Sequence, residues 1–262
     1  MLLSEQAHAF EDNGFVLGPR VIGADEVEQL RREVLEVIDR RNAPCRQPVL
    51  LRNLTGKEDA PVWQIVNIYQ VSEAFARLVH NPKIVEAAAQ LCKAKELRIW
   101  HDQIQYKPAS KGGVNMWHQD GPLWPVLQPK DQQITAWVAL DDAAEDNGCM
   151  TMAPGSHRWG DQQQYLNTLS DFTALPDTFE GHAVTRRLCP VPAGHVHFHH
   201  SLTWHASHAN TSGRPRRAIA LHYFNEKTRY DASGKHVMQP FITVTDGQPL
   251  AGERFQQVYP AN

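Results

Sequence analysis

With 262 residues, the chain suits one large domain or two small ones, and a core of that size needs no disulfide or metal staple. Apolar residues at 42% and charged residues at 21% exclude disorder, and 26 basic against 29 acidic residues, net −3, exclude a generally basic nucleic-acid binder. No apolar run approaches the ~20 residues that cross a bilayer, and Met1 to Glu5 lack the features of a signal peptide, so a cytoplasmic protein is expected.

In chain order, Ser4 is placed to cap a short helix that Asn13-Gly14 stops, and Phe15-Val16-Leu17 follows as a short strand. A second helix begins near Ala24, with Asp25 and Glu26 at its positive end. Val27, Leu30, Val34, Val37 and Ile38 recur there at helical spacing and predict its buried face. Residues 42–62 are polar and Pro-containing and predict a long loop, and a helical pair is predicted over 72–79 and 82–92. From Leu97 the texture changes to short runs rich in β-branched and aromatic residues. These are Arg98 to Lys107, Gln133 to Leu140, Gly148 to Ala153, Gly194 to Ser201 and Arg217 to Phe224. Helices followed by many spaced strands predict an α+β fold, mainly a β core, shaped as a sandwich or barrel. One domain over 1–262 is expected, with a helical part at about 1–95, the core at about 97–225 and a C-terminal segment at about 226–262.

Cys45, Cys92, Cys149 and Cys189 are scattered, with no CxxC pair, and read as free thiols in a reducing compartment. The histidines are less evenly spread: 8 of 14 fall between His182 and His222. Trp117-His118-Gln119-Asp120-Gly121 is the sharpest local feature. Residues two apart in an extended segment share a face, so His118 and Asp120 can converge, as two-thirds of the facial triad that holds non-haem Fe(II). Alone, His-x-Asp also fits an exposed loop. A second histidine comes from the segment Gly194 to Ser207, ending in Trp204-His205-Ala206-Ser207, and Arg216 follows His205 by one turn and the start of a strand.

In this order and spacing the segments resemble the phytanoyl-CoA dioxygenase family of Fe(II)- and 2-oxoglutarate-dependent oxygenases. The likeness begins at Phe10 to Val16 and runs through His118-Gln119-Asp120, Ala136 to Leu140, Asp146 to Cys149 and Pro154 to His157. It ends with His205-Ala206-Ser207 and Arg214 to Arg217. The resemblance implies a double-stranded β-helix, or jelly roll, flanked by N-terminal helices. It implies Fe(II) on His118, Asp120 and His205, with 2-oxoglutarate and O2 at the remaining positions, and Arg216 on the far carboxylate of 2-oxoglutarate. Arg217, next along the strand, is expected on the opposite face and is the alternative. By the same resemblance Ser207, Asn115, Trp137, Gln103 and Thr151 are expected around the co-substrate. A strand-end lysine such as Lys107 is ordinarily solvated. The retained carboxylate at Asp120 points to hydroxylation or desaturation.

His195, His197 and His199 alternate and share one face, where the family usually carries an acidic residue and then apolar or aromatic ones. They have no assigned role; a second metal there is one reading, and His200 reads as structural. The substrate is expected to be a small molecule, with Trp124, Trp63, Trp204 and Tyr230 as apolar or cation–π surface. No nucleic acid and no membrane is expected as partner, and the chain is expected to be a monomer or homodimer. A zinc hydrolase and a non-catalytic jelly-roll binding module are the readings from other classes.

Overall fold

Two strands set the architecture. Gln133–Ala139 and Arg216–Asn225 are buried nearly throughout, as befits the middle of a sheet covered on both faces. The computed structural model describes residues 1–260. Its strands are β1 (Phe15–Arg20), β2 (Leu50–Asn53), β3 (Trp63–Val66), β4 (Leu97–Lys107), β5 (Asn115–His118), β6 (Leu127–Gln128), β7 (Gln133–Ala139) and β8 (Met150–Met152). Then come β9 (Thr178–Phe179), β10 (His182–Ala183), β11 (Arg187–Cys189), β12 (His195–His200), β13 (His205–Ser207), β14 (Arg216–Asn225), β15 (Arg229–Tyr230) and β16 (Gln257–Tyr259). The helices are α1 (Ser4–Asn13), α2 (Ala24–Asp39), α3 (Glu73–Val79), α4 (Pro82–Leu91) and the single turn α5 (Gln163–Leu166).

The large sheet runs β1-β12-β7-β14-β4-β3-β2, with β16 also on β4; the small sheet runs β11-β8-β13-β5. Every pairing is antiparallel. Period-two alternation splits the large sheet into two faces. Val138, Val196, Phe198, Ile219 and Leu221 pack against Leu30 and Val34 of α2, Phe75 and Leu78 of α3 and Ile84 of α4. Trp137, Ala139, Ala218 and Ala220 point the other way, onto Met150, Met152 and Cys189 of the small sheet. Two facing antiparallel sheets with helices behind the larger one form the double-stranded β-helix.

β1 is the short strand expected from Phe15, but β2 and β3 are further strands of the large sheet in a part expected to be helix and loop, and β2 lies inside the 42–62 segment expected to be loop. Short edge strands with mixed burial carry little periodicity, so pairing with β4 and β12, far along the chain, decides them. Ser4 does not cap α1. Leu3 holds the cap position, and its N–H donates to Gln6 Oε1 at 3.0 Å. The last two residues of the expected C-terminal segment lie outside the described residues.

Candidate active site

β5 and β13 are antiparallel neighbours, and His118 and His205 are cross-strand partners. Such partners on one face touch, and the two imidazole centroids are 4.1 Å apart. Each ring is oriented by its own backbone. His118 Nδ1 donates to Met116 O at 2.7 Å and His205 Nδ1 to Thr203 O at 2.9 Å. Both therefore turn a bare Nε2 lone pair toward Asp120, whose Oδ1 lies 3.9 and 3.6 Å away. Burial holds both histidines down, to about 4, so they are neutral near pH 7, the form that binds metal.

Asp120 reaches this point differently from the expected strand alternation. β5 ends at His118, and Asp120 is in helical conformation at the start of a single turn. Gln119 anchors the bend from behind: its Nε2 donates to Gly160 O and Leu202 O, and its Oε1 accepts from Gln162 N. Gly121 completes it, since a Cβ there would stand 2.6 Å from the Lys130 carbonyl oxygen. Asp120 Oδ2 accepts from Thr135 Oγ1 at 2.7 Å and from His199 Nε2 at 3.0 Å. Thr135 in turn accepts from His222 Nδ1 at 2.9 Å. Burial alone would push this carboxyl up, but His205 and the His199 hydrogen bond outweigh it and hold it well below the usual carboxylate range. With Oδ2 taken, Oδ1 and the two Nε2 atoms form a facial set of three ligand atoms, all within 4.8 Å of one another. One carboxylate oxygen and two neutral imidazoles suit Fe(II) and leave three coordination positions.

Behind this set lies a second feature. Arg216 is 1% exposed and Lys107 fully buried, and among the described residues neither has an acidic partner. Arg216 lies over the Trp137 ring, 5.5 Å from its centre, and its NH2 group donates to Ser207 Oγ at 3.4 Å; its Nε has no partner. Lys107 donates to the same hydroxyl at 2.7 Å and to the carbonyls of Ser207 and His208. Burial pulls Arg216 down to about 10, and burial with Arg216 beside it pulls Lys107 well below the usual lysine value. Ser207 Oγ receives two donors and so turns its own proton toward the inner cavity that Ser207 and Trp137 line. Two buried cations and an outward hydroxyl want an anion there. The residues thus fit both an iron ion and a carboxylate ligand beside it.

Asn115, Gln103 and Trp137 line this inner cavity, and among the described residues Asn115 Oδ1 is buried without a partner. Thr151 does not reach it. It alternates with Met150 and Met152, which fill the space between the sheets, so it faces the other way. Arg217 also faces away, gripped by Asp141 through Nε and NH2, both at 2.8 Å. Lys107 departs from its expected solvation, because β4 continues under β14 to that residue. Of the four expected substrate aromatics only Trp124 lines a second, outer cavity that shares Gln103, Asn115 and His118 with the inner one, and His222 stands edge-on to it at 4.7 Å. Trp63 packs on the helix-side core under Arg41. Trp204 is buried among Trp159, Tyr165 and Phe179 behind the small sheet. Tyr230 packs against the apolar cluster that holds Trp124 but does not line the cavity, and its hydroxyl accepts from Gln239. The sequence alone assigns no site role to His199, Thr135, His222 or Lys107; the alternation His195-His197-His199 is the signal that points to this face.

Known proteins resemble this chain in sequence and fold. The family model for phytanoyl-CoA dioxygenase (PhyH) matches residues 10–218. An ectoine dioxygenase of Bordetella parapertussis is 26% identical, over 85% of this chain and 75% of its own length. A probable alpha-ketoglutarate-dependent hypophosphite dioxygenase of Stutzerimonas stutzeri is 26% identical, over 85% of this chain and 78% of its own. The crystal structure of the non-heme alpha ketoglutarate dependent carbocyclase SnoK from nogalamycin biosynthesis superposes with a TM-score of 0.79 at 28% identity, covering 98% of this chain and 96% of the other. With four-fifths of its length matched by the family model and the site geometry in agreement, the chain belongs to the phytanoyl-CoA dioxygenase family.

Proposed function

We propose that this protein is an Fe(II)- and 2-oxoglutarate-dependent dioxygenase that hydroxylates a C–H bond of a small molecule. The observation that carries the reading is the pairing of a three-ligand facial set with two buried, acid-free cations behind it. Iron, 2-oxoglutarate and O2 supply the oxidising power for C–H cleavage, with 2-oxoglutarate leaving as succinate and CO2. His118, His205 and Asp120 Oδ1 hold the metal. Thr135 and His199 keep Asp120 to one oxygen, so that positions remain for the co-substrate and O2. Arg216 and the Ser207 hydroxyl bind the far carboxylate, and Lys107 orients Ser207. Asn115, Gln103 and Trp137 wall the co-substrate in and exclude water. Among the described residues no helix is long and apolar enough to cross a membrane, and the four unpaired cysteines support a reducing cytoplasm.

The test is anaerobic addition of Fe(II) and 2-oxoglutarate to the purified protein. A weak visible charge-transfer band is expected, followed by succinate release on admitting air with a substrate library. Absence of the band in correctly metal-loaded protein would sink the reading.

A further inference from the structure

Above the iron ligands opens a second cavity of about 730 Å³, continuous with the first through shared walls at Gln103, Asn115 and His118. Its charged lining is one-sided. Arg52 and Lys235 stand on its rim, and the one carboxylate among its lining residues is Asp120, already committed to the metal. The imidazoles on its wall, His101, His222 and His236, are held neutral at pH 7 by burial.

A directed chain of hydrogen bonds crosses three strands of this wall. Arg52 Nε donates to Gln64 Oε1 at 2.8 Å, and Gln64 Nε2 donates to Gln103 Oε1 at 2.8 Å. A guanidinium can only donate, so the direction of each link is forced, and with it the orientation of both amides. Gln103 must then turn its NH2 group elsewhere, and among the described residues that group has no acceptor. The two NH2 groups of Arg52 and the Lys235 ammonium likewise have none. Arg52, Lys235 and Gln103 therefore offer donors to a ligand, while Met116, Leu123 and Trp124 supply apolar surface.

We propose that this cavity binds a small organic anion. Its carboxylate, sulfonate or phosphate sits against Arg52 and Lys235, a second oxygen accepts from Gln103, and an apolar skeleton lies over Trp124 toward the metal. The ligand's place as the oxidised substrate rests on the function proposed above; its binding does not.

A matched pair of fluorescent probes tests this on the metal-free full-length protein: 8-anilinonaphthalene-1-sulfonate, and N-phenyl-1-naphthylamine, the same aromatic body without the sulfonate. The sulfonate is expected to bind about ten-fold tighter, equivalent to ~1.4 kcal/mol. The double variant Arg52→Glu/Lys235→Glu should lose that preference while the uncharged probe binds within about two-fold of wild type. Arg32→Glu, an exposed charge reversal on α2, should change neither. Where the double reversal also weakens the uncharged probe, Arg52→Gln/Lys235→Gln decides, with the same loss of preference expected. No preference for the sulfonate in wild type, or a preference that survives loss of both charges, overturns the proposal. Neither probe needs iron or turnover, so this result and the charge-transfer band fail separately.

Discussion

His199 Nε2 meets Asp120 Oδ2 at 3.0 Å, on the side of the carboxylate turned away from His118 and His205. The ring is 1% exposed, and its other nitrogen has no partner, so the proton is on Nε2 and points at the carboxylate. Outer partners of this kind set both the orientation of a ligand and the number of atoms it gives the metal. His199→Phe keeps the volume and removes the donor. Fe(II) affinity should fall about 10- to 100-fold, and His199→Gln, which restores an N–H, should recover most of it. Unchanged metal affinity in the phenylalanine variant, measured by titration with Fe(II) or Co(II), would assign His199 to packing alone.

That contact also marks what the sequence could and could not disclose. His118, Asp120 and His205 are readable because their segments carry a spacing that the chemistry needs. Alternation alone puts His197 and His199 on one face and Val196 and Phe198 on the other, as the structure has them. Nothing local says that this face looks at Asp120, because the meeting depends on β12 lying beside β7, which carries Thr135. Lys107 departs from expectation for a related reason. A strand end is normally wet, and only the ten-residue pairing of β4 with β14 carries this one under Ser207. Residue type alone points Trp63, Trp204 and Tyr230 at the substrate, but Trp63 and Trp204 pack in other apolar clusters, and Tyr230 joins the cluster that holds Trp124 without itself lining the cavity.

Arg216 and Lys107 place two cations where, among the described residues, no acidic side chain answers them. Arg216→Met should raise the 2-oxoglutarate concentration needed for half-saturation about 100-fold, in line with 2–5 kcal/mol for truncating one partner of a buried charge pair. Fe(II) affinity should hold within about three-fold. Lys107→Met should act in the same direction but less, because the lysine reaches the ligand only through Ser207. Binding can be followed by the charge-transfer band as 2-oxoglutarate is titrated, and equal affinity in the Arg216 variant would reject its role.

His197, His200 and His236 lie away from the metal ligands in sequence, and burial holds them down to about 3, 4 and 4. His200 Nδ1 accepts from Leu202 N, and His236 Nδ1 from Met238 N, so protonation would break both bonds. In the unfolded chain these rings take up protons near 6.5, which the folded state refuses until about 4 at His200 and His236 and about 3 at His197. Stability therefore rises with pH across that window and is lost as pH falls through it. Urea unfolding of the metal-free protein should show a loss of several kcal/mol between pH 7 and 5, on the order of 2 kcal/mol per histidine. His236→Gln, which can keep an acceptor for Met238, should flatten the curve; stability that is constant or increases toward pH 5 would contradict it.

Arg217 and Arg216 are neighbours in sequence with opposite fates, and Asp141 is the reason. Its Oδ2 accepts from the Arg217 backbone N and Nε and its Oδ1 from Arg217 NH2, and Arg31 Nε stands 3.0 Å from the same Oδ1. Side chains of Arg217 and Asp141 are only 12% and 10% exposed. Asp141→Ala leaves Arg217 largely buried without its counter-ion, and breaking such a pair from one side costs about 3–5 kcal/mol. Urea unfolding should register most of that loss, with the 2-oxoglutarate requirement unchanged at temperatures where the variant is folded. If instead Asp141→Ala raised that requirement as far as Arg216→Met does, Arg217 and not Arg216 would be the cation that holds the co-substrate.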